Sequence, residues 1–361
     1  MLGLFVYIFL FSLTILFSRQ YALAEESNDT KKQIWAFAMI MLVFSLIVGL
    51  RWEVGIDYSA YYDLLVGDVS YWAYDRLEPI SRWSILFVQK SQLPFYTWFI
   101  FVAFTQIFFL VKSFRGKYAY LLPLGIFCFL AYTLSFNMNV ARQGCALSIA
   151  LYAYSFIYQK DWKRFVLFVL LAACFHKTAI VILPLYFVGR ITKILPTNIQ
   201  LILFGAFIVG GSLVVDFLIA KTGVYWDILG FRHKVDQLAE HQWEIQAGAG
   251  LGVFFTQFRR AAIIFFSKQM CDYYDDQHFK SFYNIFFIGI CLYTATMNDM
   301  LLERLFRYLS ICDIVISAYF FNYIIKVNKG YQMLAYILLL GIAVLTTYDV
   351  IVSEWQFVSI F

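Results

Sequence analysis

Arginines interrupt long apolar runs of this chain at Arg51, Arg142, Arg259, Arg260, Arg304 and Arg307, and a His176-Lys177-Thr178 tripeptide interrupts another. A guanidinium is planar, permanently charged and carries a donor fork that matches phosphate oxygens. Several such forks gathered on one side of a protein suit a diphosphate. Plainer readings exist for some of them. Arg51, Arg304 and Arg307 lie where a long side chain can snorkel to headgroups, and Arg142 can bind the carbonyls of a short turn. Arg259 and Arg260 resist that explanation, because helix neighbours point about 100° apart and cannot both escape along one face. Between residues 51 and 94, Asp57, Asp63, Asp68, Asp75 and Glu78 are interleaved with Tyr58, Tyr61, Tyr62, Tyr71, Trp72 and Tyr74. Aromatic faces beside carboxylates suit a sugar, with a platform for the ring and acceptors for its hydroxyls. An interfacial aromatic belt with solvated acids is the alternative.

The elements that must hold these residues follow from composition. Of 361 residues 62% are hydrophobic and only 14% charged, and the mean hydropathy is +0.72. A soluble core of this length cannot hide that much apolar surface, whereas lipid can act as its solvent, with about 20 apolar residues per span. The expected fold is all-α: a polytopic transmembrane helical bundle of one domain, residues 1–361, with about 10–12 spans. Apolar runs place spans near 2–18, 34–50, 95–111, 119–135, 140–158, 199–219, 251–267, 281–297, 305–325 and 331–352. The first run is read as a retained span, since no positive charge precedes it and Arg19 follows it, the reverse of a signal peptide. The net charge of +5 comes without a basic run, so nucleic acid is not an expected partner. Cys128, Cys145, Cys174, Cys291 and Cys312 sit in apolar runs as small hydrophobes, with neither CxxC nor zinc spacing.

Short basic loops set the orientation. Lys112, Arg115 and Lys117 form one and Lys160, Lys163 and Arg164 another, and both are assigned to the cytoplasm. The stretch 165–189 could be a single span or two half-length helices meeting at His176-Lys177-Thr178. Only the hairpin keeps Arg190, Lys193, Lys268, Lys280, Lys326 and Lys329 on the cytoplasmic side. It is therefore preferred. It places His176 at the outer tip and both termini outside, with two outer excursions, 51–94 and 220–250, expected to form short interfacial helices.

At this point the sequence resembles the EpsG/Wzy-like bacterial polysaccharide polymerases. Arg51-Trp-Glu-Val-Gly55-Ile-Asp57-Tyr58, followed by Tyr61 and Tyr62, looks like that family's R-x3-G-x-D-Y-x2-Y element, with Glu78-Pro79 as its acidic turn. Asn139-Val-Ala-Arg142-Gln143 resembles an N-x2-R-Q element. Phe175-His176-Lys177-Thr178-Ala179 resembles F-H-K-S-A, with Thr for the usual Ser. Arg304-Leu-Phe-Arg307-Tyr308 is a looser match to a late R-x3-Y element. The region 220–260 carries no such element, so Arg259 and Arg260 rest on the physical argument alone.

The resemblance implies transfer of a growing glycan from its undecaprenyl diphosphate to the terminal sugar of another lipid-linked repeat unit, in O-antigen or exopolysaccharide synthesis at the outer leaflet of the bacterial inner membrane. It also implies membrane lipids, a flippase and a chain-length regulator as partners. Preorganised arginines would stabilise the leaving diphosphate, and a general base would take the acceptor proton. His176 titrates nearest neutrality and is the first choice as base, with Asp57 and Glu78 next; neighbouring Lys177 would hold the imidazole neutral. The diphosphate set is Arg51, Arg142, Arg259, Arg260, Arg304 and Arg307, and the sugar set Tyr58, Tyr62, Asn139 and Gln143. No nucleotide-sugar motif or Asp-x-Asp pair is present, and neither cofactor nor metal is expected. A flippase of lipid-linked sugars would also use a basic cavity, but commonly shows paired broken helices, and only one broken segment is expected here. A ligase-type transferase is the third reading.

Overall fold

Inside lipid every backbone N–H and C=O must bond within its own segment, so long apolar runs of this chain become helices. The computed structural model describes residues 2–211, 213, 251–297, 299–327, 329–352 and 358–359. The expected excursion 220–250 lies outside them. Two long helices, α1 (Leu2–Glu26) and α2 (Thr30–Gly49), pair as a hairpin. Its turn uses Asn28 at φ 55° and an Asp29 carboxylate that caps α2 by accepting the Lys32 N–H at 3.1 Å.

The 51–94 excursion folds as expected into short helices: α3 (Tyr58–Val66), α4 (Tyr71–Asp75) and the amphipathic α5 (Pro79–Lys90). It starts with β1 (Arg51–Trp52), which pairs antiparallel with β2 (Val358–Ser359). This two-residue pairing apart, the ordered elements among the described residues are helical. Gly55 turns the chain into α3 at φ 101°, the left-handed region that favours glycine.

Four helices follow: α6 (Tyr96–Ser113), α7 (Leu122–Asn139), α8 (Ala141–Tyr158) and α9 (Trp162–Ala173). In α8 only Arg142 and Tyr158 escape full burial, which makes it the axis of the bundle. After α9 the chain breaks at Cys174–His176, makes a 3-10 turn over Lys177–Ile182 and continues into α10 (Leu185–Val188). This is the hairpin. Tyr186 packs on Phe165 with ring centroids 5.4 Å apart, whereas a straight helix would hold them about 32 Å apart at 1.5 Å per residue. Gly189 has returned to Ile157, at the end of α8.

Further on come α11 (Thr197–Val209), α12 (Leu251–Phe265), α13 (Ser267–Tyr274), α14 (Gln277–Thr296), α15 (Met300–Ser310), α16 (Asp313–Lys326) and α17 (Gln332–Val352). The run 305–325, expected as one span, is broken: α15 and α16 meet at a 41° bend. Helix α14 presses closely on this region. A Cβ on Gly289 would lie 2.6 Å from the Leu309 carbonyl carbon and 2.8 Å from the Ser310 nitrogen.

Among the described residues, five helices are long and apolar enough to cross a membrane, or six if the bent pair counts as one span. This is fewer than the ten to twelve apolar runs promised. The remainder are short, as in α11 and α12, or carry polar side chains, as in α8 and α14. Helices enclosed by others need no continuous apolar surface, because protein rather than lipid surrounds them.

Candidate functional site

The turn between α7 and α8 and the hairpin tip meet the start of α5. Glu78 precedes Pro79, whose ring starts α5 at a position where no N–H is needed. One Glu78 oxygen accepts a charged hydrogen bond from Arg142, and the other accepts the Lys177 backbone N–H at 3.2 Å. The Ile80 N–H bonds to the Cys174 carbonyl at 3.0 Å and the Ser81 hydroxyl to the Phe175 carbonyl at 3.1 Å. These bonds satisfy backbone groups that the broken helix frees, and they fix His176 beside Glu78.

His176 Nδ1 lies 2.6 Å from the Thr178 hydroxyl, which donates to Tyr308 Oη at 3.2 Å. Tyr308 Oη also lies 3.5 Å from Nδ1, and the tautomer in which Nδ1 donates to Thr178 leaves the lone pair on Nε2. Tyr308 is itself held by its helix, whose carbonyl at that residue accepts the Tyr154 hydroxyl at 2.7 Å. Four of the motifs singled out above, around Glu78, Arg142, His176 and Tyr308, therefore converge. The Thr in the hairpin motif keeps the hydroxyl that a Ser would supply.

Arg259, Arg260 and Arg307 gather elsewhere, around a cavity of about 280 Å³ also lined by Tyr132, Tyr293 and Asp313. Arg259 takes both oxygens of Asp313 and also donates to Ser317. Arg260 donates to the same carboxylate at 3.2 Å and to Thr294 at 3.4 Å. Their guanidiniums stand over Tyr132 and Tyr293, 4.2 and 5.2 Å from the ring centroids. Arg307 pairs with Glu303, donates to the Tyr293 hydroxyl at 2.9 Å, and lies over Phe136 at 3.8 Å. Among the described residues, three arginines against two carboxylates leave one net positive charge here, in a setting where charge is poorly screened.

Helix α15 joins the two centres. Arg307 faces the cavity while its neighbour Tyr308 completes the imidazole relay. The Arg304 carbonyl accepts from Gln143 Nε2 at 2.7 Å. Buried Arg142 Nε, Gln143 Oε1 and Arg307 Nε have no hydrogen-bond partner among the described residues. Buried polar atoms are seldom left so, and these three sit on residues of the two centres.

Other expected site residues are placed differently. Arg51 is 1% exposed and donates to the Val48 and Met138 carbonyls at 2.8 and 2.9 Å, over the Phe99 ring at 4.6 Å. The carbonyl-binding role considered for Arg142 is thus made by Arg51. Tyr58 stacks on Phe99 at 4.9 Å, and Tyr62 packs on Trp52 and Phe95 at 5.7 and 5.1 Å. Asn139 accepts the Asp57 N–H at 2.8 Å, holding the start of α3 against the end of α7. Asp313 was not singled out from the sequence. Its signal was present: it is the sole acid within 305–325, a span's length that would be costly to charge without a partner.

Helices of membrane-crossing length, buried ion pairs and a helical hairpin define a multi-pass membrane protein with two adjoining polar centres. The chain belongs to the EpsG family, whose model matches residues 33–357. Comparison with curated proteins and with solved structures finds no match.

Proposed function

We infer that this protein is a membrane glycosyltransferase of exopolysaccharide or O-antigen synthesis. It polymerises repeat units carried on a polyprenyl diphosphate, at the outer leaflet of the bacterial cytoplasmic membrane. The observation that carries this reading is the convergence of the His176–Thr178–Tyr308 relay with the Glu78–Arg142 pair. Base and cation then stand together, as glycosyl transfer from a diphosphate needs.

In the reaction a hydroxyl of the acceptor sugar attacks the anomeric carbon of the donor. The new C–O bond forms as the bond to the diphosphate breaks, and that oxygen takes the bonding electrons. The hydroxyl proton passes to His176 Nε2. Glu78 has both oxygens engaged, one by Arg142 and the other by the Lys177 N–H, and serves to orient Arg142. Arg142, Arg304 and Arg307 take the leaving diphosphate, the first and last with donors still unpaired. Arg259 and Arg260, tied to Asp313, add fixed positive charge beside Arg307. Gln143 bears on the sugars, while Asn139 and Arg51 hold the outer loop in place.

His176→Ala and Arg142→Ala test the reading. Each variant is expected to insert normally while surface glycan falls to single repeat units. Loss of even single units from the outer leaflet would point to transport instead. Long chains from the double variant would remove these residues from the reaction.

A further inference from the structure

The exposed apolar side of α5 borders a groove that neither polar centre uses. It holds about 460 Å³ between α5 and the first turns of α6, lined by Ile80, Trp83, Ser84, Phe87, Thr97 and Phe101. Trp83 and Phe87 are 69% and 64% exposed, although each is large and apolar. The Ser84 hydroxyl is already engaged, donating to the Ser81 carbonyl and accepting the Trp98 indole N–H, both at 3.0 Å. A sugar would find little here to bond, and a hydrocarbon chain loses nothing by entering.

Position says which hydrocarbon. The groove starts at Ile80, two residues beyond Glu78, where the Ile80 N–H is bonded to Cys174. Phe101, on the opposite wall, stacks at 6.3 Å on Phe175, the residue before His176. One end of an apolar channel therefore abuts the polar centre where Arg142 pairs with Glu78 and the buried Arg142 Nε has no hydrogen-bond partner among the described residues. An amphiphile with an anionic head and a long tail matches both parts at once.

We propose that the α5–α6 groove seats the first isoprene units of the donor's polyprenyl chain, with its phosphate end directed to the Glu78–Arg142–His176 centre. The proposal rests on the lipid-linked donor inferred above. It adds a tail-binding site on α5 that fixes the depth and angle at which the headgroup arrives.

The full-length protein in vesicles of phosphatidylethanolamine and phosphatidylglycerol provides the test. The probe is a polyprenyl phosphate with a diazirine in its first isoprene units. Labelling is expected to concentrate in the 79–101 peptides, to be lost with excess unlabelled polyprenyl phosphate, and to be lost in Thr97→Phe, which fills the groove. Trp83→Ala and Phe87→Ala, which alter only exposed positions, are expected to weaken it. Equal, non-displaceable labelling by a phosphatidylglycerol carrying an acyl-chain diazirine would make the groove an ordinary lipid contact and overturn the proposal. So would scatter of the polyprenyl label over all spans. The labelling requires no turnover, so the two readings fail separately. Specific labelling together with full chain growth in His176→Ala would sink the polymerase and leave the groove. Loss of chain growth in His176→Ala without specific labelling would do the reverse.

Discussion

Asp313 serves two arginines, so its loss would leave two guanidiniums facing each other in a buried site. Removing one member of a buried ionic group costs about 3–5 kcal/mol, mostly through the charge left unpaired. Asp313→Asn is therefore expected to lower the melting temperature in detergent sharply, with Asp313→Glu recovering much of it; an unshifted melt for Asp313→Asn would contradict the pairing. Arg142 offers a different contrast. Arg142→Lys keeps the charge but loses the fork, and a charged hydrogen bond is worth about 1.5–3 kcal/mol. Polymer yield at unchanged protein level is expected to fall roughly tenfold to a hundredfold by that measure. A third residue reports on pH. Burial opposes the charge of Asp276, in the α13–α14 loop, but Lys117 at 2.9 Å, the His278 N–H at 2.9 Å and the Tyr118 hydroxyl at 2.8 Å outweigh it. Its carboxyl is held below the usual carboxylate range. The folded form thus binds the proton less readily than the unfolded chain, so Asp276 stabilises at pH values above the ordinary carboxylate pKa. That contribution drains away as pH falls through the depressed value. Thermal melts from pH 7 downward should show an acid-side loss in the native protein that Asp276→Asn lacks.

The helical hairpin makes a prediction about sidedness. In a background without the six cysteines, Lys177→Cys is expected to react with an impermeant maleimide in intact cells. Lys163→Cys and Arg190→Cys should react only after permeabilisation. Outside labelling at 190 would mean that 165–189 crosses the membrane, and His176 would then lie in mid-bilayer. The junction of α14 with α15 is the other sensitive element. A methyl group on Gly289 would collide with backbone rather than with a yielding side chain. Gly289→Ala should cost about 1–3 kcal/mol through overpacking. It should also reduce chain growth, since α15 carries both Arg307 and Tyr308, and normal polymer from a destabilised variant would separate that helix from the reaction.

Over the whole molecule, legibility followed the range of the interaction. The helical membrane class could be read from composition, because lipid imposes it on every residue of a span. The hairpin could be read from loop charges, which record the side each loop occupies. Helix α15 breaks from α16 where the apolar pattern runs on without a proline or glycine, so one straight span was the natural reading. The tie from Arg259 and Arg260 to Asp313 joins segments more than fifty positions apart, and nothing local announces it. Arg51 looked like its fellow arginines because its partners are main-chain carbonyls, which leave no mark in sequence. Arg142, His176 and Tyr308 could be found because each sits in a motif, and packing then set them together.

On the proposed reading, leaving group and proton acceptor are addressed from consecutive residues of α15, whose Cα atoms are about 3.8 Å apart. The enzyme then grips only the junction being made. The remainder of each glycan, however many sugars it holds, trails free of the apparatus that makes the bond. Such a device is indifferent to repeat length, so discrimination between one repeat unit and another would fall to the first sugar on either side of the new linkage. Swapping the outer excursion between family members should therefore change which terminal sugars are joined while leaving the size of acceptable repeat units unaltered.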